Sequence, residues 1–132
     1  TMPQIPPDNL PVNLLASASR TATVSTPVQT NQAHRGVMLI LDVTVASGTG
    51  GLIPQIRFHD PITAGTKIVW NIPMPVKATG TYVHIHYPGS NFAQSGAVQY
   101  VVSMPLSQLW SVTVTHGDGS PYTYSLSGYL LV

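Results

Sequence analysis

The chain has 132 residues, of which 43% are hydrophobic and only 7% are charged, and its formal net charge is +1 at pH 7. Soluble domains typically have about 25% charged residues. We therefore expect much of this surface to be covered by partners or by copies of the same chain, rather than kept in water by charge. The sequence has no basic cluster and no Cys, which argues against nucleic-acid binding and excludes disulfides and thiolate metal sites. Its longest apolar run, residues 37–41, is far shorter than the ~20 residues of a membrane-spanning helix, so we expect no membrane partner.

The N-terminal segment, residues 1–13, is rich in proline. Proline fixes the backbone and lacks an N–H donor, so this segment favours an extended, polyproline-like conformation. Two interpretations remain open: a frayed terminus, or an extended arm that lies across a neighbouring subunit. We accordingly divide the chain into an arm, residues 1–13, and a single domain, residues 14–132. The candidate contact residues of such an arm are Ile5, Pro6, Pro7, Leu10, Val12 and Leu14.

The remainder of the chain alternates apolar and polar residues, the pattern of β-strands. The strongest example is 36–47, where alternate residues are apolar and fall on one face at a period of two residues: Val37, Leu39, Leu41, Val43 and Val45. Met38 and Ile40 fall on the other face and are also apolar, so part of this strand is expected to be buried on both sides. The predicted strands are 19–25, 36–47, 53–60, 66–74, 76–87, 98–104, 109–116 and 122–132.

Turn sequences separate these segments at intervals of about ten residues. They include "GTGG" (48–51), "DPITAG" (60–65) and "GDGSP" (117–121). No segment shows a helical period. Seven or eight short strands with such turns predict an all-β fold, an antiparallel β-sandwich or barrel of jelly-roll or tulip-like type.

The stretch "GTYVHIHYPG" (80–89) places His84 and His86 on one face of a predicted strand. Two histidines so placed are typical of the metal site of cupin enzymes, but such a site needs a third donor, and the chain has no Glu. Possible substitutes are His116, His59 and Asp42, but their spacing selects none of them. The histidines are therefore weak metal candidates, and we expect no cofactor. The alternative interpretation is a half-buried strand with a polar face and a core face. The polar face would consist of Tyr82, His84 and His86, and the core face of Val83, Ile85 and Tyr87.

The sequence does not indicate an enzyme. No serine lies in a nucleophile elbow, and the "GTGG" loop lacks the Lys and the helix of a phosphate-binding loop. The four aspartates all have explanations as turn, cap or strand-face residues. They are Asp8, Asp42, Asp60 and Asp118.

Aromatic and loop residues supply the remaining interface candidates. The loop 88–97, with Asn91 and Phe92, is the best placed for variable recognition. Tyr122, Tyr124 and Tyr129 are candidates because a rigid ring with a polar tip is favoured at interfaces. The other aromatic residues on or beside predicted strands are assigned to the core: Phe58, Trp70, Tyr100 and Trp110.

Several segments, in this order, resemble a widespread family of small structural proteins of tailed bacteriophages. Residues 14–44 are similar to the family's "ARTAT", "Q.N...RGV" and "DVT" elements, and 60–66 resembles its "DP.SG" turn. Residues 78–89 resemble its "ATGT...R.YPG" element, and 109–132 its "W.V...H.D...TYSV" ending. The matching residues of the first segment are Ser19, Arg20, Thr21, Ala22, Thr23, Gln29, Asn31, Arg35, Gly36, Val37, Asp42, Val43 and Thr44.

The resemblance implies a non-enzymatic virion structural protein. One expectation is a capsid decoration (cement) protein on the capsid exterior, bound to the major capsid protein and to copies of itself as a homo-oligomer, a trimer. The alternative is a minor tail or head–tail joining protein, and a remote alternative is a cupin-like metal-binding protein. The family has apolar and Arg residues where this chain has His84 and His86, so the resemblance implies no metal role for them.

Overall fold

A computed structural model describes residues 8–31, 33–71, 75–89 and 98–132. Every regular element in these residues is a strand, and they contain no helix long and apolar enough to cross a membrane. The strands are β1 (Leu10–Arg20), β2 (Val24–Ser25), β3 (Gln29–Thr30), β4 (Gly36–Ala46), β5 (Leu52–His59), β6 (Thr66–Asn71), β7 (Gly80–His86), β8 (Val98–Val102), β9 (Leu109–His116) and β10 (Tyr122–Leu131).

These strands form two separate sheets, which confirms the predicted β-sandwich and not the barrel. Sheet A has the order β1-β10-β4-β7-β8, and sheet B has the order β2-β9-β5-β6, with β3 also paired to β9. All pairs are antiparallel except β7 with β8, which is parallel. That pair departs from the antiparallel prediction. Side chains alternate in the same way in both kinds of pair, so the sequence pattern does not distinguish them.

The core lies between the two sheets. β4 is the central strand of sheet A, and its Val37, Leu39 and Leu41 are at most 2% exposed. Sheet B contributes Ile56 and Trp110, which are equally buried. Burying a side chain of this size stabilises the fold by about 1.5–3 kcal/mol. The other buried apolar residues of this core are Val43, Leu52, Phe58, Val76, Leu106, Val112, Val114, Tyr122, Tyr124, Leu126 and Leu130.

The predicted arm differs from the structure over its last residues. β1 begins at Leu10 and pairs with β10 as far as Arg20, so residues 10–13 belong to the sandwich and not to a separate arm. The physical reason is that β1 is an edge strand, and an edge strand tolerates proline because one of its sides needs no N–H donors. Ile5, Pro6 and Pro7 lie outside the described residues.

The predicted strand 19–25 is divided between the two sheets. It comprises the end of β1 in sheet A and all of β2 in sheet B. The chain therefore crosses from one sheet to the other at residues 21–23, which are exposed.

Asp118 fastens two turns at one end of the sandwich. Its carboxylate accepts hydrogen bonds from the backbone N–H groups of Thr49 (2.9 Å), Gly50 (2.7 Å) and Ser120 (3.1 Å), which hold the pKa of Asp118 below its usual value. The turns touch closely, since a Cβ added at Gly50 would lie 2.4 Å from the backbone of Gly117. Asp118 therefore joins the loop 48–51 to the turn 117–121.

Replacing this carboxylate is expected to loosen the loop without unfolding the sandwich. In Asp118→Ala, amide hydrogen exchange at Thr49 and Gly50 should accelerate by about tenfold, because each N–H loses its acceptor. The matched control is Asp60→Ala, since Asp60 accepts backbone N–H groups in a different turn. Unchanged exchange in Asp118→Ala, or equal acceleration in both variants, would contradict this role.

Candidate functional site

The two histidines of β7 lie in the interior of the sandwich. His84 is 2% exposed and His86 is 0% exposed. In the register of sheet A, His86 lies opposite Val37 and His84 opposite Leu39. Directly opposed residues of a strand pair share a face, and Val37 and Leu39 face the core. The polar-face interpretation is therefore wrong, because the histidines face inward.

Burial suppresses the charge of both imidazoles. Desolvation lowers the pKa of His84 to about 3, with the neighbouring His86 as a second cause. Desolvation also lowers the pKa of His86 to about 4. The two rings are 6.4 Å apart between centroids, and the His86 ring meets the edge of Phe58 at 5.1 Å. Both histidines are thus neutral aromatic core residues at pH 7.

A neutral imidazole is a good metal ligand, so the surroundings decide whether a metal site is present. Within residues 8–31, 33–71, 75–89 and 98–132, no group of three or more His, Cys, Asp or Glu is placed to hold a metal ion. The three other donors that the sequence offered bond elsewhere: His116 to Tyr124, His59 to Ser111, and Asp42 to Thr81.

The contact between His59 and Ser111 was not anticipated from the sequence. The two side chains meet at 2.7 Å through Nε2 and Oγ, and the His59 Nδ1 lies 2.8 Å from the carbonyl of Ala64. A carbonyl only accepts, so Nδ1 donates to it and Nε2 accepts from the serine hydroxyl. Ser111 is only 4% exposed. Its hydroxyl is covered in this arrangement and serves to join β9 to the turn after β5.

Two of the three tyrosines proposed for an interface are core residues instead. Tyr122 and Tyr124 are both 0% exposed, so neither offers a surface to a partner. The Tyr124 hydroxyl lies 2.8 Å from Nε2 of His116, and the guanidinium of Arg20 lies 4.7 Å from the centre of its ring. Burial raises the pKa of Tyr124 to about 12. The Tyr122 hydroxyl accepts a hydrogen bond from the N–H of Gly51 at 2.9 Å.

An apolar surface lies on the opposite side of sheet A. Since His84 and His86 point inward, the alternate residues of β7 point outward. Ile85 is one of them, and the strand register places it in a row that crosses all five strands of the sheet. We call this row the outer apolar row. Its members are Pro11, Tyr129, Met38, Ile85 and Val101.

The outer apolar row is accessible and contains no charged residue. Tyr129 is 42% exposed, while Met38, Ile85 and Val101 are partly exposed. Ile40, paired with Val83 in the neighbouring row, extends the apolar area. Sandwich strands that face water normally carry polar residues outward, so this half of the face is unusual.

The other end of the same face is polar. Ser125 of β10, Asp42 of β4 and Thr81 of β7 lie side by side in the register. The Thr81 hydroxyl donates to the Asp42 carboxylate at 3.4 Å. The outer face of sheet A therefore has an apolar half and an ordinary solvated half, which marks the apolar half as the candidate contact surface.

A groove continues the apolar half. It has a volume of about 340 Å³ and is lined by Asn9, Ile85, Tyr87, Leu131 and Val132. We call it the C-terminal groove. The Tyr87 hydroxyl donates to the carbonyl of Val132 at 2.6 Å, and the Val132 N–H donates to the Asn9 side chain at 3.0 Å. These bonds fix the walls of the groove, so it is a formed feature of the surface.

The remaining interface candidates are distributed differently. Leu10 is 49% exposed, whereas Val12 and Leu14 pack against the core. Asn91 and Phe92 lie outside the described residues. The sequence did indicate this surface: Val83, Ile85 and Tyr87 alternate along β7 and the residue that follows it, on one apolar face. We had assigned that face to the core, but it points outward.

The candidate site is thus the outer apolar row together with the C-terminal groove. It presents aliphatic and aromatic side chains, with the polar groups of Asn9 and Tyr87 at one edge. Such a composition suits contact with the surface of another protein. Comparisons of the chain with protein-family models, with curated proteins and with solved structures return no match.

Proposed function

We propose that this chain is a non-enzymatic structural protein of a tailed-bacteriophage virion, a capsid decoration protein that binds the exterior of the major capsid lattice and stabilises the head. The observation that carries the proposal is the outer apolar row with its adjoining groove. The core between the sheets is already closed without this surface, so the surface is available to a partner. The low charge of the chain and the resemblance of its segments to phage structural proteins are further support.

The physics of decoration suits such a surface. A protein that binds only the assembled shell shifts the assembly equilibrium toward the shell by mass action. Many copies on one lattice also reinforce each other, because each additional contact forms at a high effective concentration. Modest affinity per copy is therefore sufficient, and a small apolar patch of this kind supplies it without catalytic chemistry.

The proposal is tested by binding of the purified protein to heads that lack it. The diagnostic variant is Tyr129→Lys, which places a charge within the outer apolar row, next to Met38. We expect its affinity for heads to fall by at least about tenfold, since a desolvated unpaired charge costs more than about 1.4 kcal/mol. The matched control is Ser125→Lys, on the same strand and the same face but at the polar end, and it should bind as the unaltered protein does.

Two results would count against decoration. One is equal binding of the Tyr129→Lys variant and the unaltered protein. The other is binding to purified tails or to the head–tail junction instead of the head, which would favour the minor tail or joining protein. Circular dichroism of both lysine variants establishes that they are folded.

A further inference from the structure

The β5–β6 hairpin carries an exposed apolar edge that the proposed capsid contact does not use. β6 is the last strand of sheet B, and among the described residues only β5 pairs with it. Its Ile68 and Val69 are 44% and 43% exposed, and Ile62 in the turn between β5 and β6 is 89% exposed. A strand edge also presents unpaired backbone N–H and C=O groups. The hairpin therefore offers both hydrogen-bonding groups and apolar side chains.

The other long edge of the molecule, β1, is protected in ways that β6 is not. β1 contains Pro11 and two register irregularities. The guanidinium of Arg20 also donates to the carbonyls of Ala16 (2.6 Å) and Ala18 (3.3 Å). These two backbone acceptors of β1 are therefore already engaged. Bulges, proline and charged side chains are the usual means by which sheets prevent edge-to-edge pairing.

β6 has little of this protection. The strand TKIVWN contains no proline and a single charge, Lys67. Its one register irregularity lies at its start, opposite the step from Phe58 to His59. Within the described part of the chain, the fold thus blocks strand addition at β1 and leaves the edge of β6 uncovered.

We propose that β6 pairs antiparallel with β6 of a second copy of this chain, so that two B sheets join into one continuous sheet. A strand edge selects an extended partner with its own unpaired backbone groups, and a second β6 supplies this with the same exposed residues. A two-fold axis makes such a contact self-complementary. In such a pair, residues that point to the core side of one sheet must lie opposite residues that point to the core side of the other. A register in which Ile68 of one copy lies opposite Ile68 of the other meets this condition. Lys67 of each copy then lies opposite Val69 of the other.

The low net charge of the chain permits this contact, and the small size of the interface determines its affinity. A net charge of +1 gives little repulsion between copies. A six-residue strand spans only about 20 Å, so the interface is at the low end of specific contacts. We expect a reversible dimer with a dissociation constant on the order of 100 μM. Such a dimer does not depend on capsid binding, and either proposal can fail without the other.

Sedimentation velocity across about 10 μM to 1 mM protein tests the inference. The unaltered chain should shift from monomer to dimer, and Val69→Lys should stay monomeric, because lysine on an edge strand opposes pairing. The matched control is Val45→Lys, since Val45 is 48% exposed but lies on β4, and it should dimerise normally. Amide exchange within β6 should slow as the unaltered chain is concentrated.

Several outcomes would overturn the inference. They are a chain that stays monomeric at every concentration, a dimer that persists in Val69→Lys, and equal loss of the dimer in both lysine variants. A trimer would do the same, because a two-fold strand pair closes at two copies. Thermal unfolding of Val69→Lys shows that loss of the dimer does not arise from loss of the fold.

Discussion

Lowering the pH from 7.5 to 4.5 is expected to reduce the free energy of unfolding by about 2 to 3 kcal/mol for each of His84 and His86. Their folded pKa values, about 3 and about 4, lie below the ordinary value of 6.5. The unfolded state therefore binds protons first as the pH falls, and the folded state does not. Stability is fully present above about pH 6.5 and is lost progressively below it. For a domain whose total stability is about 5–15 kcal/mol, the combined loss is a large fraction.

Urea unfolding at a series of pH values measures this dependence. In the double variant His84→Phe/His86→Leu, the loss below pH 6.5 should largely disappear, because the titrating groups are gone. The control is Val112→Ala, a core truncation that lowers stability at every pH but leaves the pH dependence unchanged. Constant stability between pH 7.5 and 4.5 in the unaltered chain would contradict the buried placement. So would imidazole NMR signals assigned to His84 or His86 that titrate near pH 6.5 in the folded protein.

Truncating Tyr124 is expected to cost about 3–5 kcal/mol of stability, the range for removing a large buried ring. Tyr124 is 0% exposed, and its ring and hydroxyl contact Arg20 and His116. Tyr124→Phe should cost only about 1 kcal/mol, because it removes the hydroxyl and keeps the ring. Denaturant unfolding of Tyr124→Ala, Tyr124→Phe and the unaltered chain provides the comparison.

Tyr129→Ala is the matched control for this prediction. Tyr129 lies on the same strand, but it points outward and is 42% exposed. Its truncation should change stability by less than about 1 kcal/mol while weakening binding to heads. A small stability change in Tyr124→Ala, with a loss of head binding, would restore Tyr124 to the interface and refute its place in the core.

Strand positions were predictable from the sequence because alternation and turn residues are local signals. β4 shows this over most of its length: Val37, Leu39, Leu41 and Val43 face the core as predicted, and Met38 and Ile40 are half-buried on the other side. Val45 was predicted on the core face but is 48% exposed, because the register with β10 shifts beside it. The pairing of distant strands was not predictable. Whether β7 and β8 run parallel depends on contacts between segments far apart in the chain, which alternation does not encode.

The predicted orientation of β7 was wrong, and the reason is connected with the candidate site. Both faces of this strand carry large side chains, and we assigned Val83 and Ile85 to the core because they are the more apolar. The register with β4 instead turns His84 and His86 inward. Comparing the hydrophobicity of the two faces of a strand identifies the core face only where the outer face is solvated. An outer face that is itself apolar reverses the ranking, so the same feature that misled the prediction marks the proposed contact surface.

The three tyrosines predicted for an interface lie on opposite faces of β10. Tyr122, Tyr124 and Tyr129 were all chosen by residue type. Alternation along the strand places Tyr122 and Tyr124 in the core, whereas Tyr129 points outward. Predicting the C-terminal groove would have required the relative positions of three strand ends. Asn9, Tyr87 and Val132 meet there through hydrogen bonds between residues far apart in sequence, which no local pattern reveals.

Cryo-electron microscopy of the assembled particle tests the central proposal most directly. We predict many copies of this sandwich on the capsid exterior, each with the outer apolar row and the C-terminal groove against the major capsid protein. In that arrangement Tyr129 and Ile85 are covered by the lattice. Density for the chain only at the tail or the joining ring, or on the capsid with the outer face of sheet A turned to solvent, would contradict it.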